Sequence, residues 1–410
     1  MRTIHYKDKK LFFENYKIEN AVNSFPTPFY LYSKQKLINN FLSFQQTAKE
    51  YFDMPEICFA LKANSNLELL KILSSQGSGA DIVSGGELIR AINAGISPKK
   101  IVFSGVGKTK DEINLALDRD IMSFNVESAE ELMLINKLAK HKNKVANIAL
   151  RINPKVKALT HKYISTGYKT HKFGLLEKDL LGIVNDDTFW TSSKLVGLSV
   201  HIGSQLTCLE ATKKAIQQIS DCANKISTKL EFIDVGGGLG VNYSNDQKPK
   251  APTLNEYMIA IRDNLKVNYP LKIVFEPGRS IIASTGVFVS KVLRSKQSED
   301  CHFIIVDGGM NDFARPSLYQ AYHEIYPSKD CNQKIETDIV GPICETADCF
   351  GEKRMLPKLK EDDFIVIADT GAYGHSMSSN YNLRSKPIEL LINNDHSLIQ
   401  IRDKQNLETL

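Results

Sequence analysis

Short apolar runs alternate with amphipathic stretches through the middle of this 410-residue chain. The apolar runs are the eight segments 57–63, 80–84, 101–105, 122–126, 148–152, 195–202, 232–236 and 272–276. Windows with helical periodicity lie between most of them, at 66–76, 86–94, 108–118, 129–140, 209–230 and 253–268. Because strands that are joined through helices pair in parallel, the alternation predicts a β/α architecture.

The number of strand–helix units separates two β/α architectures. Eight units fit a closed eight-stranded β/α barrel of the TIM type, which we place at residues 26–284. A doubly wound open sheet is the alternative. After about residue 285 the pattern changes to β-branched runs separated by turns, at 287–292, 303–306, 338–340 and 364–368. These predict antiparallel strands in a second, all-β domain at 285–410, and residues 1–25 are expected to pack on it.

Composition excludes several function classes. The chain is 42% hydrophobic and 24% charged, which is ordinary for a soluble globular protein. Its net charge of +5 is spread out, so no nucleic-acid partner is indicated. No apolar run is long enough for a membrane span, and the N-terminal residues do not resemble a signal peptide. The seven scattered cysteines have no metal-site spacing, so we expect free thiols, a cytoplasmic location and no metal.

Polar and glycine residues follow the apolar runs at their C-terminal ends. They are Lys62, Asp81, Ser84, Arg151, His201, Ser204, Asp234, the glycines at 236–238 and the turn at 276–279. In a β/α barrel these strand ends form one rim, where active sites lie. Each residue alone has a structural explanation, such as a lysine that snorkels to water or a glycine turn. Their convergence on one rim favours a functional site.

These residue types suit the parts of pyridoxal phosphate. A lysine amine such as that of Lys62 binds an aldehyde as an imine. Glycines at 236–238 allow backbone N–H groups to approach a phosphate closely. Glu276 could keep the pyridine nitrogen protonated, and His201 could stack on the ring face.

Twelve motifs together resemble one family, the fold-type III pyridoxal-phosphate decarboxylases. Within that group the chain is similar to the diaminopimelate decarboxylases, and the match runs in the same order over residues 25 to 395. The motifs are FALKAN at 59–64, GADIVSGGEL at 79–88, YISTG at 163–167, KFG at 172–174, HIGSQ at 201–205, GGG at 236–238, EPGR at 276–279, MND at 310–312, RP at 315–316, Tyr319, GPICE at 341–345 and GAYG at 371–374.

The resemblance implies a fold, an assembly and a set of site residues. The fold is a β/α barrel followed by a C-terminal β-barrel domain, and the assembly is a homodimer with shared active sites. Lys62 would carry the cofactor as an internal aldimine, and Cys344 would donate a proton at the partner subunit's cofactor. The third catalytic residue would be His201. The implied cofactor-binding residues are Lys62, Asp81, His201, Ser204, Gly236, Gly237, Gly238, Glu276, Pro277, Gly278, Arg279 and Tyr373. The implied substrate-binding residues are Arg279, Arg315, Tyr319, Glu345 and Tyr373.

The implied reaction is decarboxylation of meso-2,6-diaminopimelate at its D-configured carbon, which gives L-lysine and CO2 in the last step of lysine biosynthesis. The reacting carboxylate should lack a strong cationic partner, since its desolvation favours loss of CO2. Two arginines can bind the distal carboxylate through directed hydrogen bonds, and a glutamate can pair with the distal ammonium. A positioned thiol can return one proton to the carbon.

Related functions remain as alternatives at this point. Ornithine and arginine decarboxylases share the chemistry, but their substrates lack a distal carboxylate, and they tend to have aspartate where this chain has Glu345. Carboxynorspermidine decarboxylases are usually shorter. Alanine racemases usually have an arginine at the pyridine nitrogen, where this chain has Glu276. A non-catalytic cofactor-binding protein would lack the lysine, the proton donor or the β domain. The polar segment 154–172 is the expected mobile loop at the active site.

Overall fold

The computed structural model describes residues 3–156, 172–244 and 246–409. The expected active-site loop at 154–172, with its motif at 163–167, therefore lies almost wholly outside the described residues. Two compact units divide the chain: the barrel unit, residues 40–241 and 248–280, and the β unit, residues 1–39, 242–247 and 281–410. No helix within the described ranges has both the length and the apolar character needed to cross a membrane.

The barrel unit contains eight strands that close on themselves. The strands are β5 (Pro55–Ala60), β6 (Gly79–Ile82), β7 (Ile101–Phe103), β8 (Ser123–Val126), β9 (Ala146–Arg151), β10 (Ser193–Ser199), β11 (Phe232–Asp234) and β12 (Lys272–Phe275). Every neighbouring pair is parallel, and the order β5 to β12 returns to β5. Each strand overlaps one of the eight predicted apolar runs, so the predicted barrel is confirmed and the open sheet is not.

Helices connect most of these strands. They are α3 (Leu67–Ser75), α4 (Gly85–Asn93), α5 (Lys110–Asp118), α6 (Ala129–His141), α7 (Glu177–Val184), α8 (Glu210–Lys225) and α9 (Leu254–Asn264). Four of them begin at a serine or threonine whose hydroxyl accepts a backbone N–H of the first turn: Ser84, Thr109, Ser128 and Thr253. Such caps satisfy N–H groups that have no partner within the helix. Ser84 therefore has a structural role at the end of β6.

The β unit combines the N-terminal segment with the C-terminal part of the chain. Its first elements are β1 (Ile4–Lys7), β2 (Lys10–Phe13), β3 (Tyr16–Lys17), α1 (Ile18–Ser24), β4 (Phe29–Ser33) and the start of α2 (Lys34–Tyr51). Its later elements are the end of α10 (Arg279–Ile282), then β13 (Gly286–Gln297), β14 (His302–Val306), α11 (Arg315–Tyr319), β15 (Ile325–Pro327), β16 (Ile335–Val340), β17 (Cys349–Leu356), β18 (Phe364–Ile367), β19 (Ile388–Ile392) and β20 (Leu398–Arg402).

Nine strands of this unit form one mixed sheet. Its main order is β17-β16-β14-β13-β4-β19-β20, and β18 pairs with β13 and β15. The expectation of antiparallel pairing after residue 285 is right for β13 with β14 and β18, but wrong for β14 with β16, which are parallel. β4, for which no pairing was expected, is also parallel to β19. Parallel pairing requires a long connection, and α11 with β15 lies between β14 and β16.

The N-terminal residues share the core of the β unit. Ile4, Leu11 and Phe13 of the first hairpin belong to the same buried cluster as Phe29 and Val366. The unit also includes residues 26–39, which the sequence analysis placed with the barrel. The reason for this difference is β4, which pairs with β13 and β19 in the mixed sheet.

Candidate active site

Lys62 lies just beyond the end of β5, on a short 3-10 turn at Leu61–Ala63. Its ammonium nitrogen Nζ is 2.8 Å from Oδ2 of Asp81, at the end of β6, and the lysine side chain is 36% exposed. The strand thus ends three residues earlier than the predicted apolar run 57–63, and Lys62 is paired and partly open to solvent. The carboxylate of Asp81 is fully buried, and its Oδ1 has no hydrogen-bond partner among the described residues.

A cavity of about 390 Å³ surrounds the Lys62 side chain. Its volume is in the usual range for small-molecule and cofactor sites. The lining includes Lys62, Val83, Ser104, Asn125, Arg151, Phe173, Ser199, His201, Ser204 and Glu276. Most of these residues lie at or just after the C-terminal ends of barrel strands. Five members of the predicted rim line the cavity, namely Lys62, Arg151, His201, Ser204 and Glu276, whereas Asp81, Ser84, Asp234, the glycines at 236–238 and residues 277–279 do not.

His201 is held in a neutral form by its surroundings. Its Nδ1 accepts the backbone N–H of Gly237 at 3.2 Å, which leaves the proton of the neutral ring on Nε2. Burial lowers the pKa of His201 well below its ordinary value, and the Lys62 and Arg151 cations lower it further. An uncharged imidazole is suited to lie against a flat aromatic ring.

The glycine loop 236–238 is packed too tightly for side chains. A Cβ on Gly237 would lie 2.1 Å from the carbonyl oxygen of Glu276, and one on Gly238 would lie 2.2 Å from that of Gly203. Gly236 has φ +69°, and its N–H donates to Oδ1 of Asp234 at 2.9 Å. Because the N–H groups of Gly236 and Gly237 donate to Asp234 and His201, the N–H of Gly238 is the one in this loop that can donate to a phosphate, with no side chain on the loop in its way.

Glu276 and Asp234 form a buried carboxyl pair under the cavity. The amide nitrogen of Asn125 donates to Asp234 Oδ2 at 2.9 Å and lies 3.4 Å from Glu276 Oε1, and the Ser104 hydroxyl is 3.3 Å from the same Oε1. Burial raises the pKa of Glu276 well above its usual range, and the Asp234 and Asp81 charges add to this. Burial also raises the pKa of Asp234 to about 6. A cation beside Glu276 would offset this burial and repulsion, and a protonated ring nitrogen of a bound cofactor would be such a cation.

The turn at 276–279 is attached to both neighbouring loops. The N–H of Ala60 donates to the carbonyl of Pro277 at 3.1 Å, and a Cβ on Gly278 would lie 3.0 Å from Cβ of Ala63. Arg279 is buried, and its Nε and Nη2 lie 3.3 and 2.9 Å from the Ser204 hydroxyl. The structure thus brings together all of the predicted cofactor residues that belong to the barrel unit.

Five polar cavity residues were absent from the predicted catalytic, cofactor-binding and substrate-binding sets: Ser104, Asn125, Arg151, Lys172 and Ser199, although Arg151 was placed on the predicted rim. Arg151 is held by Glu127, whose Oε1 is 2.6 Å from Nη1, and it donates to the backbone carbonyl of His201 at 3.3 Å. A sequence signal for Asn125 and Ser104 existed, because both are polar residues in or directly after predicted barrel strands.

Five predicted residues lie in the β unit. Arg315 begins α11 and is buried, whereas Tyr319 ends that helix and is partly exposed. Cys344 and Glu345 are adjacent and exposed, and the Tyr381 hydroxyl donates to the Glu345 carboxylate. Tyr373 has φ +54°, which is rare for an aromatic residue. A constrained backbone of this kind is often found at functional sites.

The segment that carries Cys344 is fixed by one buried aspartate. The Asp348 carboxylate accepts the backbone N–H groups of Met310 and Ile343, each at 2.6 Å. Asp348 is only 2% exposed, and the N–H of Gly341 donates to its carbonyl at 3.0 Å. The exposed thiol and carboxylate at 344 and 345 therefore project from a braced loop.

The residues of the cavity and its surroundings fit pyridoxal 5'-phosphate. Ser199, which lines the cavity, has a buried hydroxyl oxygen without a partner among the described residues, and a buried polar atom without a partner is costly. A bound polar ligand removes that cost. The amine of Lys62, the glycine loop and Glu276 match the aldehyde, phosphate and ring nitrogen in chemical type. Fold and site together define a pyridoxal-phosphate enzyme of the β/α-barrel class, and comparison with known proteins narrows this class.

The chain belongs to the pyridoxal-dependent decarboxylases and, within them, to the diaminopimelate decarboxylase family. Residues 38–283 match the family model described as "Pyridoxal-dependent decarboxylase, pyridoxal binding domain". The chain is 43% identical to the diaminopimelate decarboxylase of Helicobacter pylori, over 96% of this chain and 97% of that protein. It is 38% identical to the diaminopimelate decarboxylase of Aquifex aeolicus, over 99% of this chain and 96% of that protein. It is therefore an enzyme of the carboxy-lyase class.

Solved structures agree with this assignment. The diaminopimelate decarboxylase of Helicobacter pylori complexed with L-lysine superposes with a TM-score of 0.91 at 42% identity, covering 96% of this chain and 98% of that one. A lysine/ornithine decarboxylase from Vibrio vulnificus superposes with a TM-score of 0.79 at 21% identity, covering 93% of this chain and 98% of that one. The second likeness shows the shared fold alone.

Proposed function

We propose that this chain decarboxylates meso-2,6-diaminopimelate at its D-configured carbon and releases L-lysine and CO2, the last step of lysine biosynthesis. The observation that carries the proposal is full-length similarity to diaminopimelate decarboxylases, at 38–43% identity, in a chain with the rim site described above. The solved relative from Helicobacter pylori holds L-lysine, the product of this reaction.

In the proposed mechanism the barrel residues hold the cofactor. Pyridoxal phosphate supplies the electron sink for the bond that releases CO2. The amine of Lys62, which Asp81 keeps in place at 2.8 Å, would hold the aldehyde. The Glu276 carboxyl would pair with the ring nitrogen, and the neutral ring of His201 would lie against the cofactor ring. The N–H of Gly238 would bind the phosphate, with Ser204 and Arg279 as further donors.

The β-unit residues bind substrate and deliver the proton in this proposal. Arg279 and Arg315 bind the distal carboxylate, and Glu345 pairs with the distal ammonium. Tyr319 and Tyr373 line the substrate. The Cys344 thiol donates the proton that replaces CO2. Because Cys344 and Glu345 are exposed on a braced loop, we propose that they complete the site of a second copy of the chain, in a homodimer.

A substrate panel tests the proposal. The purified holoenzyme is supplied separately with meso-diaminopimelate, L-lysine, L-ornithine and L-arginine, and CO2 release is measured for each. We expect CO2 and L-lysine from meso-diaminopimelate at a kcat/KM at least about 100-fold above the others, because a buried arginine left without its carboxylate is costly. Equal or faster turnover of ornithine, arginine or lysine contradicts the proposal.

A further inference from the structure

Arg315 is held in the β unit by a histidine that no part of the sequence analysis identified. Its guanidinium nitrogen Nη1 lies 2.8 Å from Nε2 of His323, and both side chains are buried. An arginine has donors only, so the histidine nitrogen must accept and must carry no proton. His323 Nδ1 lies 2.7 Å from the carbonyl oxygen of Ala368, so Nδ1 carries the proton of the ring.

Three aromatic contacts fix the same geometry. The Tyr243 ring lies 4.6 Å from the Arg315 guanidinium carbon, a cation–π contact, and 4.6 Å from the His323 ring. Phe313 meets the edge of the His323 ring at 4.9 Å and 79°. His323 is fully buried, so its ring cannot turn without disturbing these neighbours. A protonated His323 would have no acceptor for Arg315 and would place a second cation beside it.

We infer that His323 is a positioning residue for substrate specificity: as a neutral acceptor backed by Ala368 and Tyr243, it orients the Arg315 guanidinium toward a ligand carboxylate. The inference rests on the proposed role of Arg315 at the distal carboxylate. An arginine that is oriented before binding loses less side-chain freedom when it pairs with a carboxylate. His323 therefore affects recognition of that carboxylate and not the chemistry at the other end of the substrate.

The first test compares two ligands that differ only in this carboxylate. L-Lysine and cadaverine (1,5-diaminopentane) are titrated into the holoenzyme, and dissociation constants are measured from the change in cofactor absorbance. His323→Phe keeps a ring of similar shape but removes the acceptor. We expect this variant to weaken the binding of L-lysine about 10-fold and that of cadaverine less than about 2-fold, which is the usual effect of losing one charge-assisted hydrogen bond. His323→Gln restores an acceptor and should recover L-lysine affinity to within about 3-fold of the wild type.

The matching kinetic test uses meso-diaminopimelate. For His323→Phe we expect KM to rise about 10-fold while kcat changes less than about 3-fold. Tyr243→Leu is the second variant, which keeps the inference testable if His323→Phe does not fold. It should weaken the binding of L-lysine about 3-fold, because the cation–π contact with Arg315 is lost. His302→Phe is the control, since His302 is also buried in this unit but contacts the hydroxyls of Ser295 and Thr337. It should leave the ratio of L-lysine to cadaverine affinity unchanged.

The outcomes separate this inference from the proposed function. Equal wild-type affinity for L-lysine and cadaverine, or a ratio that no His323 or Tyr243 variant changes, overturns the inference. A ratio that changes as expected supports it, even in an enzyme that fails to convert meso-diaminopimelate, and that failure would contradict the proposed function alone.

Discussion

A methyl group added at Gly237 has no room in the folded chain. Its Cβ would lie 2.1 Å from the carbonyl oxygen of Glu276 and 2.9 Å from the carbonyl carbon. The two segments must separate by about 1 Å to restore van der Waals contact. That movement weakens two hydrogen bonds, from Gly237 N–H to His201 at 3.2 Å and from Glu276 N–H to Gly236 at 2.8 Å.

We therefore predict that Gly237→Ala destabilises the fold by about 1–3 kcal/mol, the usual cost of overpacking. It also moves the glycine loop relative to Glu276, and a displacement of about 1 Å in a precise site typically lowers its performance up to about 100-fold. We therefore expect the affinity for pyridoxal phosphate to fall by about 10- to 100-fold. The assay is a titration of the apoenzyme with the cofactor, followed by visible absorbance, together with a thermal melt.

Gly182→Ala is the matched control. Gly182 lies within α7, and nothing would meet its Cβ within 4 Å. Alanine is favoured over glycine in a helix by about 0.5–1 kcal/mol, so this variant should melt at the wild-type temperature or slightly above it and bind the cofactor normally. A Gly237→Ala protein that binds pyridoxal phosphate as tightly as the wild type refutes the reasoning about the glycine loop.

Two further predictions concern the β unit. Cys344→Ser should lower kcat about 100- to 1000-fold with little change in cofactor absorbance, because a hydroxyl is a much weaker acid than a thiol; an unchanged kcat would exclude Cys344 as the proton donor. Asp369→Asn should alter the pH dependence of stability, because burial raises the pKa of Asp369 from 3.8 to about 6. The folded state binds the Asp369 proton more tightly than the unfolded state does. Protonation of Asp369 therefore stabilises the fold fully below pH 3.8, and this stabilisation is lost as the pH rises through about 6. Asparagine tolerates the φ of +56° and needs no charge, so the variant should be about 1–2 kcal/mol more stable than the wild type at pH 8 and gain less at pH 5. Equal gains at both pH values, measured by urea unfolding, would contradict this.

The barrel could be predicted from the sequence because its strands are continuous apolar runs. A parallel strand covered on both faces is mostly apolar, and each of the eight runs overlaps one barrel strand. The predicted site followed from the same rule, since polar side chains at 62, 201 and 276 stand where such runs end. Lys62, His201 and Glu276 line one cavity in the barrel unit.

The mixed sheet of the β unit could not be predicted in the same way. β4 lies far from β13 and β19 in the sequence, and its residues 29–33 carry no sign of their partners. The pair of Arg315 and His323 was missed because histidine at that position forms part of no strand-end pattern. Its partner is identified only by the 2.8 Å contact in the folded chain.

The central claim is that Lys62 holds the cofactor, and borohydride reduction of the holoenzyme tests it most directly. Reduction attaches pyridoxal phosphate permanently to the lysine that binds it, and peptide mass spectrometry then locates the modified residue. Two other lysines are informative competitors: Lys172 lines the same cavity, and Lys108 is buried with its Nζ 2.6 Å from Glu131. We expect modification of Lys62 in the wild type and no modified lysine in Lys62→Ala. Modification of Lys172, Lys108 or any other lysine would contradict it.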